Sequence, residues 1–328
     1  MANCSEKSLP VRLYSAVTAR KVEWLWYPYI PYGKITMIQG DPGDGKTTLA
    51  LNIAALLSNG YPMPDSNKQS EKHLTIYQSA EDSVEDTIKP RLISAGADCS
   101  LIAFVDESEQ RLVLDDKRIE AVIKEINARL MIIDPLQAYL GDNGDMSRVD
   151  GIRPMMKHLA AVAERTGCAL VIIGHMNKNN GTKGIYRGLG SIDITAAVRS
   201  VLLVGRIKSN PSVRVMAQLK NSLAEEGKAV AFEIQDNSSV KWIGEYDITA
   251  EELLNGDAPN DDMSKLSEAI FVLSDLLRNG AMPCTQIYSY MKSRGISKRS
   301  VERAKQNLNV KSDKHTDGWY WSFKEGQA

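Results

Sequence analysis

Cysteine is scarce in this sequence. Cys4, Cys99, Cys168 and Cys284 are the four in 328 residues, and no two of them form a CxxC pair. That spacing excludes a zinc ribbon and a disulfide framework, and a reducing cytoplasm is the expected compartment. Long apolar runs are also missing. No stretch of about 18 uncharged apolar residues occurs, so neither a transmembrane helix nor a membrane partner is expected. The first ten residues carry Glu6 and Lys7 and no apolar segment, which argues against a secretory leader. Internal repeats and low-complexity tracts are absent, which sets aside solenoids and biased tails. What remains is 43% hydrophobic and 25% charged, as in a soluble globular protein with room for one large domain and a small one.

Net charge is −1 but unevenly spread. Residues 263–328 hold 11 Lys/Arg against 6 Asp/Glu, a balance of +5 that leaves −6 for the rest. A basic C-terminal segment suits an anionic partner such as nucleic acid. A solvated basic face on a small domain gives the same charge count.

Residues 35–39 are a short apolar run ending on Gly40, and 47–57 have a helical pattern, so the order is strand, glycine loop, helix. A second strand is expected at 74–78, a helix at 83–92 and a short strand at 101–104. Within 115–127, Ile119, Val122, Ile123 and Ile126 recur at helical spacing. Residues 130–133 form an apolar strand that ends on Asp134, followed by a helix at 149–165 and a buried strand at 169–173. Strands alternating with helices predict an α/β fold, with a mostly parallel sheet covered on both faces. The pattern then changes. Strands at 200–204, 213–219, 229–234 and 240–243 leave no room for helices and predict an antiparallel extension at the sheet edge. The core domain therefore spans 1–248, with 1–30 as an arm and lead-in, and the turn-rich, acidic 249–263 is expected to be a linker. Residues 264–328 form the small domain. Helical patterns at 266–277, 285–292 and 298–308, the last capped by Ser297, precede two strands at 310–314 and 319–323 closed by Asp317-Gly318.

Gly40-Asp41-Pro42-Gly43-Asp44-Gly45-Lys46-Thr47 matches GxxxxGK[ST], in the strand-to-helix setting that pattern requires. Its glycines let backbone N–H groups point inward at phosphate oxygens, and the positive end of the following helix adds to the anion site. ATP and Mg²⁺ are thus the expected ligands. Gly40 through Thr48 would line the nucleotide, Lys46 would reach the β- and γ-phosphates, and Thr47 would offer its hydroxyl to the metal. Asp134, at the carboxyl end of a buried strand, is the expected carboxylate on the metal side, although a charge there can simply end a strand. Glu81, in Ser79-Ala80-Glu81-Asp82, is the candidate base for the hydrolytic water. Asp82 competes with it, and either could cap the next helix. His175 follows Gly174 at a third strand end, where a polar residue would face the γ-phosphate; a well-bonded edge histidine is the plainer reading.

Together these residues resemble the RecA-type ATPase core, and within it the RepA-type hexameric replicative helicases of plasmids and phages, with DnaB and RadA more distant. The resemblance covers about residues 22–248. Trp24-Leu25-Trp26-Tyr27-Pro28, Asp134-Pro135-Leu136-Gln137-Ala138-Tyr139-Leu140, Arg187-Gly188-Leu189-Gly190-Ser191 and Gly244-Glu245-Tyr246-Asp247-Ile248-Thr249 look like the helicase or primase-like ATPases of phages and integrated elements. The resemblance implies a homo-oligomeric ring of six subunits with ATP at each interface and single-stranded DNA in the channel. Lys178, Lys183 and Arg187 would then lie on a channel loop, although an ordinary surface loop has the same composition. An interfacial ATPase takes a cation from its neighbour. Arg199 matches an arginine of the RepA-type pattern, with Arg206 and Lys220 as rivals. DnaB-like proteins carry a Lys-x-Arg finger where this chain has Lys220-Asn221-Ser222, so the arginine of that motif is missing and weight shifts to Arg199.

The C-terminal segment resembles a winged helix-turn-helix. Its third helix, with Lys298, Arg299, Arg303 and Lys305, would face duplex DNA, although many winged helices bind only proteins. The expected function is that of an ATP-driven DNA helicase or translocase of a mobile element. The alternatives are a RadA- or KaiC-like ATPase that loads or remodels partners, and a DNA-binding regulator whose ATP site switches assembly.

Overall fold

The fold is seen in a computed structural model, which describes residues 11–66, 69, 71–141, 149–176, 192–207, 210–235, 237–255, 269–270, 272–278, 280–308, 310–315 and 318–323. A hairpin of β1 (Trp24–Trp26) and β2 (Ile30–Pro31) leads into β3 (Ile35–Gly40), α1 (Lys46–Asn59) and β4 (Thr75–Ser79). A π-helical turn at Val84–Ile88 runs into α2 (Lys89–Ser94), followed by β5 (Ile102–Ala103), α3 (Lys117–Glu125) and β6 (Leu130–Asp134). Next come α4 (Val149–Thr166), β7 (Ala169–His175), α5 (Ile192–Ala197) and β8 (Ser200–Ile207). The strands β9 (Asn210–Asn221), β10 (Ala229–Ile234) and β11 (Val240–Tyr246) follow directly, as expected of an antiparallel edge.

All of these strands from β3 onward belong to one nine-stranded sheet, ordered β11-β10-β9-β8-β3-β7-β6-β4-β5. The run from β8 to β5 is parallel, and β8 through β11 pair antiparallel. The parallel strands read as unbroken apolar runs because both of their faces are buried. In β6, Leu130 and Ile132 pack with α1 and α2, while Met131 and Ile133 pack with α3 and α4. Leu49, Ile53 and Leu57 of α1 fill the first layer, and Ile119, Ile123, Met156 and Leu159 of α3 and α4 fill the second.

The expected linker at 249–263 departs from expectation at its start. Ala250–Asn255 is a helix, α6. Thr249 Oγ1 accepts from the Glu252 N–H at 3.1 Å, and the Glu252 carboxylate accepts from the Thr249 N–H at 2.8 Å, a reciprocal capping box. Leu253 then buries against Gly205 of β8. Residues 256–268 lie outside the described residues.

Farther on, β12 (Met282–Pro283), α7 (Cys284–Ser293), α8 (Lys298–Asn307), β13 (Lys311–His315) and β14 (Gly318–Ser322) enclose a core of their own, with Leu273, Ile287, Met291, Val301 and Trp321 at its centre. Strand β12 was not expected; it completes a three-stranded sheet ordered β12-β14-β13. Among the described residues, no helix is long and apolar enough to cross a membrane.

Candidate active site

Strand register brings the candidate residues to one edge of the sheet. Gly40 at the end of β3 pairs with His175 at the end of β7, and Ser79 at the end of β4 pairs with Asp134 at the end of β6. Four consecutive carboxyl ends therefore share one edge of the sheet, the edge at which ligands sit in open α/β sheets.

The loop between β3 and α1 is shaped by its glycines. A Cβ on Gly40 would lie 2.2 Å from the Val204 carbonyl oxygen, so β8 allows no side chain there. Gly45 takes φ +93° to cap α1 and leaves the helix without a side-chain cap, so its first N–H groups are free to meet an anion. Lys46 is buried, and its Nζ donates to the carbonyls of Gly40 at 3.0 Å and Asp41 at 2.8 Å. Burial pulls its pKa down, while the carboxylates of Asp44, Asp134, Asp41 and Glu81 oppose the shift. A desolvated ammonium beside bare helix N–H groups fits a polyphosphate.

Asp134 is buried and receives two hydroxyls on the same oxygen. Thr47 Oγ1 and Tyr77 Oη each donate to Oδ2 at 2.7 Å. Tyr77, on β4, was missed by sequence reasoning. The available signal was a polar-tipped ring on the α1-facing side of an otherwise buried strand. Burial, with Asp134's charge beside it, holds this hydroxyl protonated well above the ordinary phenol range. Thr47 in the first turn of α1 and Asp134 at the end of β6 set two oxygen ligands side by side, a pairing that suits Mg²⁺.

Glu81 and Asp82 separate clearly. Asp82 is tied to Arg91 of α2 at 3.0 Å. Glu81 stays largely exposed, with Oε2 at 3.8 Å from His175 Nε2, while the His175 Nδ1 is buried with no hydrogen-bond partner among the described residues.

Arg206, named as a rival for the neighbour's cation, lies beside its own phosphate loop. Its Nε donates to Asp44 at 3.1 Å and its Nη2 to the Gly43 carbonyl, so it is bound to its own phosphate loop. The cause is sheet order, which sets β8 beside β3. Arg214, its register partner on β9, stands next to Gly45. Arg199 is exposed at the opposite end of the sheet, where its N–H donates to the Ile35 carbonyl at 3.0 Å. Lys220 lies close by; burial and Arg199's charge lower its pKa, and its Nζ donates to the Val198 carbonyl at 3.0 Å.

Lys178, Lys183 and Arg187, with the segment Arg187 to Ser191, lie outside the described residues, as does the Arg299 side chain. On α8, Lys298 is exposed and Arg303 is half-buried. Lys305, expected on the open face, instead places Nζ over the Trp321 ring at 4.4 Å, because α8 packs on β14. Trp321 is buried against Tyr288, whereas Trp319 is half exposed.

A model of an AAA domain matches residues 3–181, a stretch that includes the phosphate loop, Glu81, Asp134 and His175. The chain belongs to that AAA_25 family of P-loop ATPases. This AAA domain is also similar to curated proteins named DNA repair protein RadA. The Bacillus subtilis protein is 25% identical over 228 residues, 69% of this chain and 44% of its own length. The Halalkalibacterium halodurans protein is 25% identical over 246 residues, 74% of this chain and 48% of its own length. The Mycobacterium tuberculosis protein is 25% identical over 208 residues, 62% and 38% of the two chains. The chain thus spans less than half the length of these relatives.

Proposed function

We propose that this ATPase is a DNA translocase that hydrolyses ATP at the interfaces of a six-subunit ring and draws single-stranded DNA through the channel. One observation carries the reading. At a single sheet edge, Lys46 fills the glycine cradle, Thr47 is bonded to Asp134, and Glu81 stands beside His175 while Asp82 is held elsewhere. Lys46 exchanges its carbonyl partners for β- and γ-phosphate oxygens. Mg²⁺ held by Thr47 and Asp134 would draw charge off those oxygens. Tyr77 keeps the Asp134 carboxylate aimed at that position. Glu81 takes the proton of the attacking water, and His175 links its state to the segment that begins at Asn177. Arg199, exposed and at the far end of the sheet from its own loop, supplies the cation for the neighbour's site. Arg206, occupied in its own subunit, does not.

DNA enters the reading through Lys178, Lys183 and Arg187, and through relatives named for DNA repair. The succession α7, turn, α8 and a small sheet is compatible with a winged helix-turn-helix, and in this reading Lys298 and Arg303 would meet duplex DNA. Those relatives also favour a second reading, in which the ATPase remodels DNA or partners without unwinding. The test is ATP turnover with and without single-stranded oligonucleotide, together with strand separation of a forked duplex. Stimulation with unwinding supports the translocase. Stimulation without unwinding moves the assignment to the second reading. Turnover indifferent to DNA overturns both.

A further inference from the structure

We propose that Arg214 of β9 holds the α-phosphate end of the nucleotide in its own subunit. This role needs the ATPase site alone and is independent of a ring.

Arg214 lies opposite Arg206 of β8 and opposite Phe232 of β10. Phe232 packs in the layer that α1 fills, so Arg214 projects from the face of the sheet that carries the phosphate loop. A Cβ on Gly45 would stand 3.7 Å from Arg214 Cγ, which sets the stem of this side chain against the start of α1.

The charges around Arg214 do not balance. Arg206 and Arg214 are like charges directly opposite each other on paired strands, an arrangement that destabilises a sheet. Asp44 is the carboxylate whose charge offsets Arg214, and it is already bonded to Arg206 at 3.1 Å. Glu233, next to Phe232, projects from the other face and pairs with Lys241 at 3.8 Å. Arg214 Nη1 donates to the Pro211 carbonyl, but Nε is buried with no hydrogen-bond partner among the described residues. Burial and the charge of Arg206, offset in part by Asp44, pull the Arg214 pKa down. A guanidinium kept at such a cost beside an anion cradle lacks its anion.

Sheet order selects the part of the nucleotide that supplies it. Strand β3 leads into the phosphate loop. On one side of β3 lie β7, β6 and β4, with Asp134 and Glu81 at the ends of the last two, where the proposed mechanism sets the γ-phosphate. On the other side lie β8 and β9. With the γ-phosphate toward Asp134 and Glu81, the α-phosphate comes toward Arg214. ATP and ADP share that phosphate, so removing Arg214 should weaken both.

The experiment titrates the full chain with fluorescent ATP and ADP in the absence of Mg²⁺. The parent is compared with Arg214→Met, which keeps the aliphatic stem, and Arg214→Lys, which keeps the charge. Arg214→Met should weaken both nucleotides by about tenfold or more, as expected for a lost hydrogen bond to a charged group. Arg214→Lys should recover part of the loss. In turnover, the effect should appear in KM more than in kcat. Unchanged affinity overturns the proposal. So does a loss confined to ATP, which would put Arg214 at the γ-phosphate. A parent that binds neither nucleotide would remove the ATP site along with it.

A measurement on the parent does not depend on how the variants fold. Phenylglyoxal labels arginines, and peptide mapping follows Arg214 and Arg199 with and without ADP. ADP should reduce labelling at Arg214 and leave Arg199 as it was. Labelling of Arg214 that ADP does not reduce overturns the proposal.

Discussion

The most exacting test of the proposed metal side is Tyr77→Phe. The change removes one oxygen from a buried site and leaves the ring in place. In the parent, Tyr77 and Thr47 both donate to Asp134 Oδ2 at 2.7 Å, so the carboxylate is held by two hydroxyls from two elements. A hydrogen bond to a charged acceptor is worth about 1.5–3 kcal/mol. Urea unfolding of the nucleotide-free protein should therefore show a loss of about that size. In a domain this large the corresponding fall in Tm is roughly 3–12 °C. Residues that orient a metal ligand typically change metal affinity or activity by about 10- to 100-fold when removed. The Mg²⁺ concentration for half-maximal turnover should rise within that range while ATP binding without metal holds steady. The assay is steady-state phosphate release across a Mg²⁺ series. An unchanged Mg²⁺ requirement with unchanged stability would refute the reasoning. A lower requirement would show that Tyr77 competes with the metal for Asp134.

Three further outcomes follow from the same edge. Glu81→Gln should bind ATP as the parent does and lose about 10²-fold or more in turnover, because Gln can hold a water but cannot take its proton; normal turnover would remove Glu81 from the mechanism. Arg206→Ala leaves the Asp44 carboxylate beside the phosphate site without the guanidinium that pairs with it, so fluorescent-nucleotide titration should show affinity falling by up to about fivefold, with Asp44→Asn restoring it in the same chain. A mixture of Arg199→Ala and Lys46→Ala proteins should hydrolyse more ATP than the two measured apart, since some mixed interfaces join an intact pocket to an intact arginine. No gain after proven subunit exchange would count against a cation supplied in trans.

How much was legible depended on how local each feature is. The phosphate loop needs eight contiguous residues, and its strand and helix flank it directly, so Gly40 to Thr47 could be assigned from order alone. Glu81, Asp134 and His175 could be nominated because each ends an apolar strand, and strand ends of a parallel sheet share an edge. Tyr77 could not, because its role depends on which face of β4 meets α1 and on β4 pairing beside β6. The helix Ala250–Asn255 was hidden by the turn residues just after it, although Thr249-Ala250-Glu251-Glu252 carries a capping box.

By itself, the sequence determined the class of fold, the anion-binding loop and the strand ends that could serve it. These depend on periodicity and on backbone conformations that only glycine adopts readily. Tertiary structure alone decided which cations attend the loop. Arg206 reaches Asp44 across 162 positions of sequence, while Arg199 is left at the other end of the sheet. The physical reason is strand order. A β-strand's neighbours are chosen by burial on both faces of the whole sheet, and no short stretch of sequence encodes which distant strand will lie beside it.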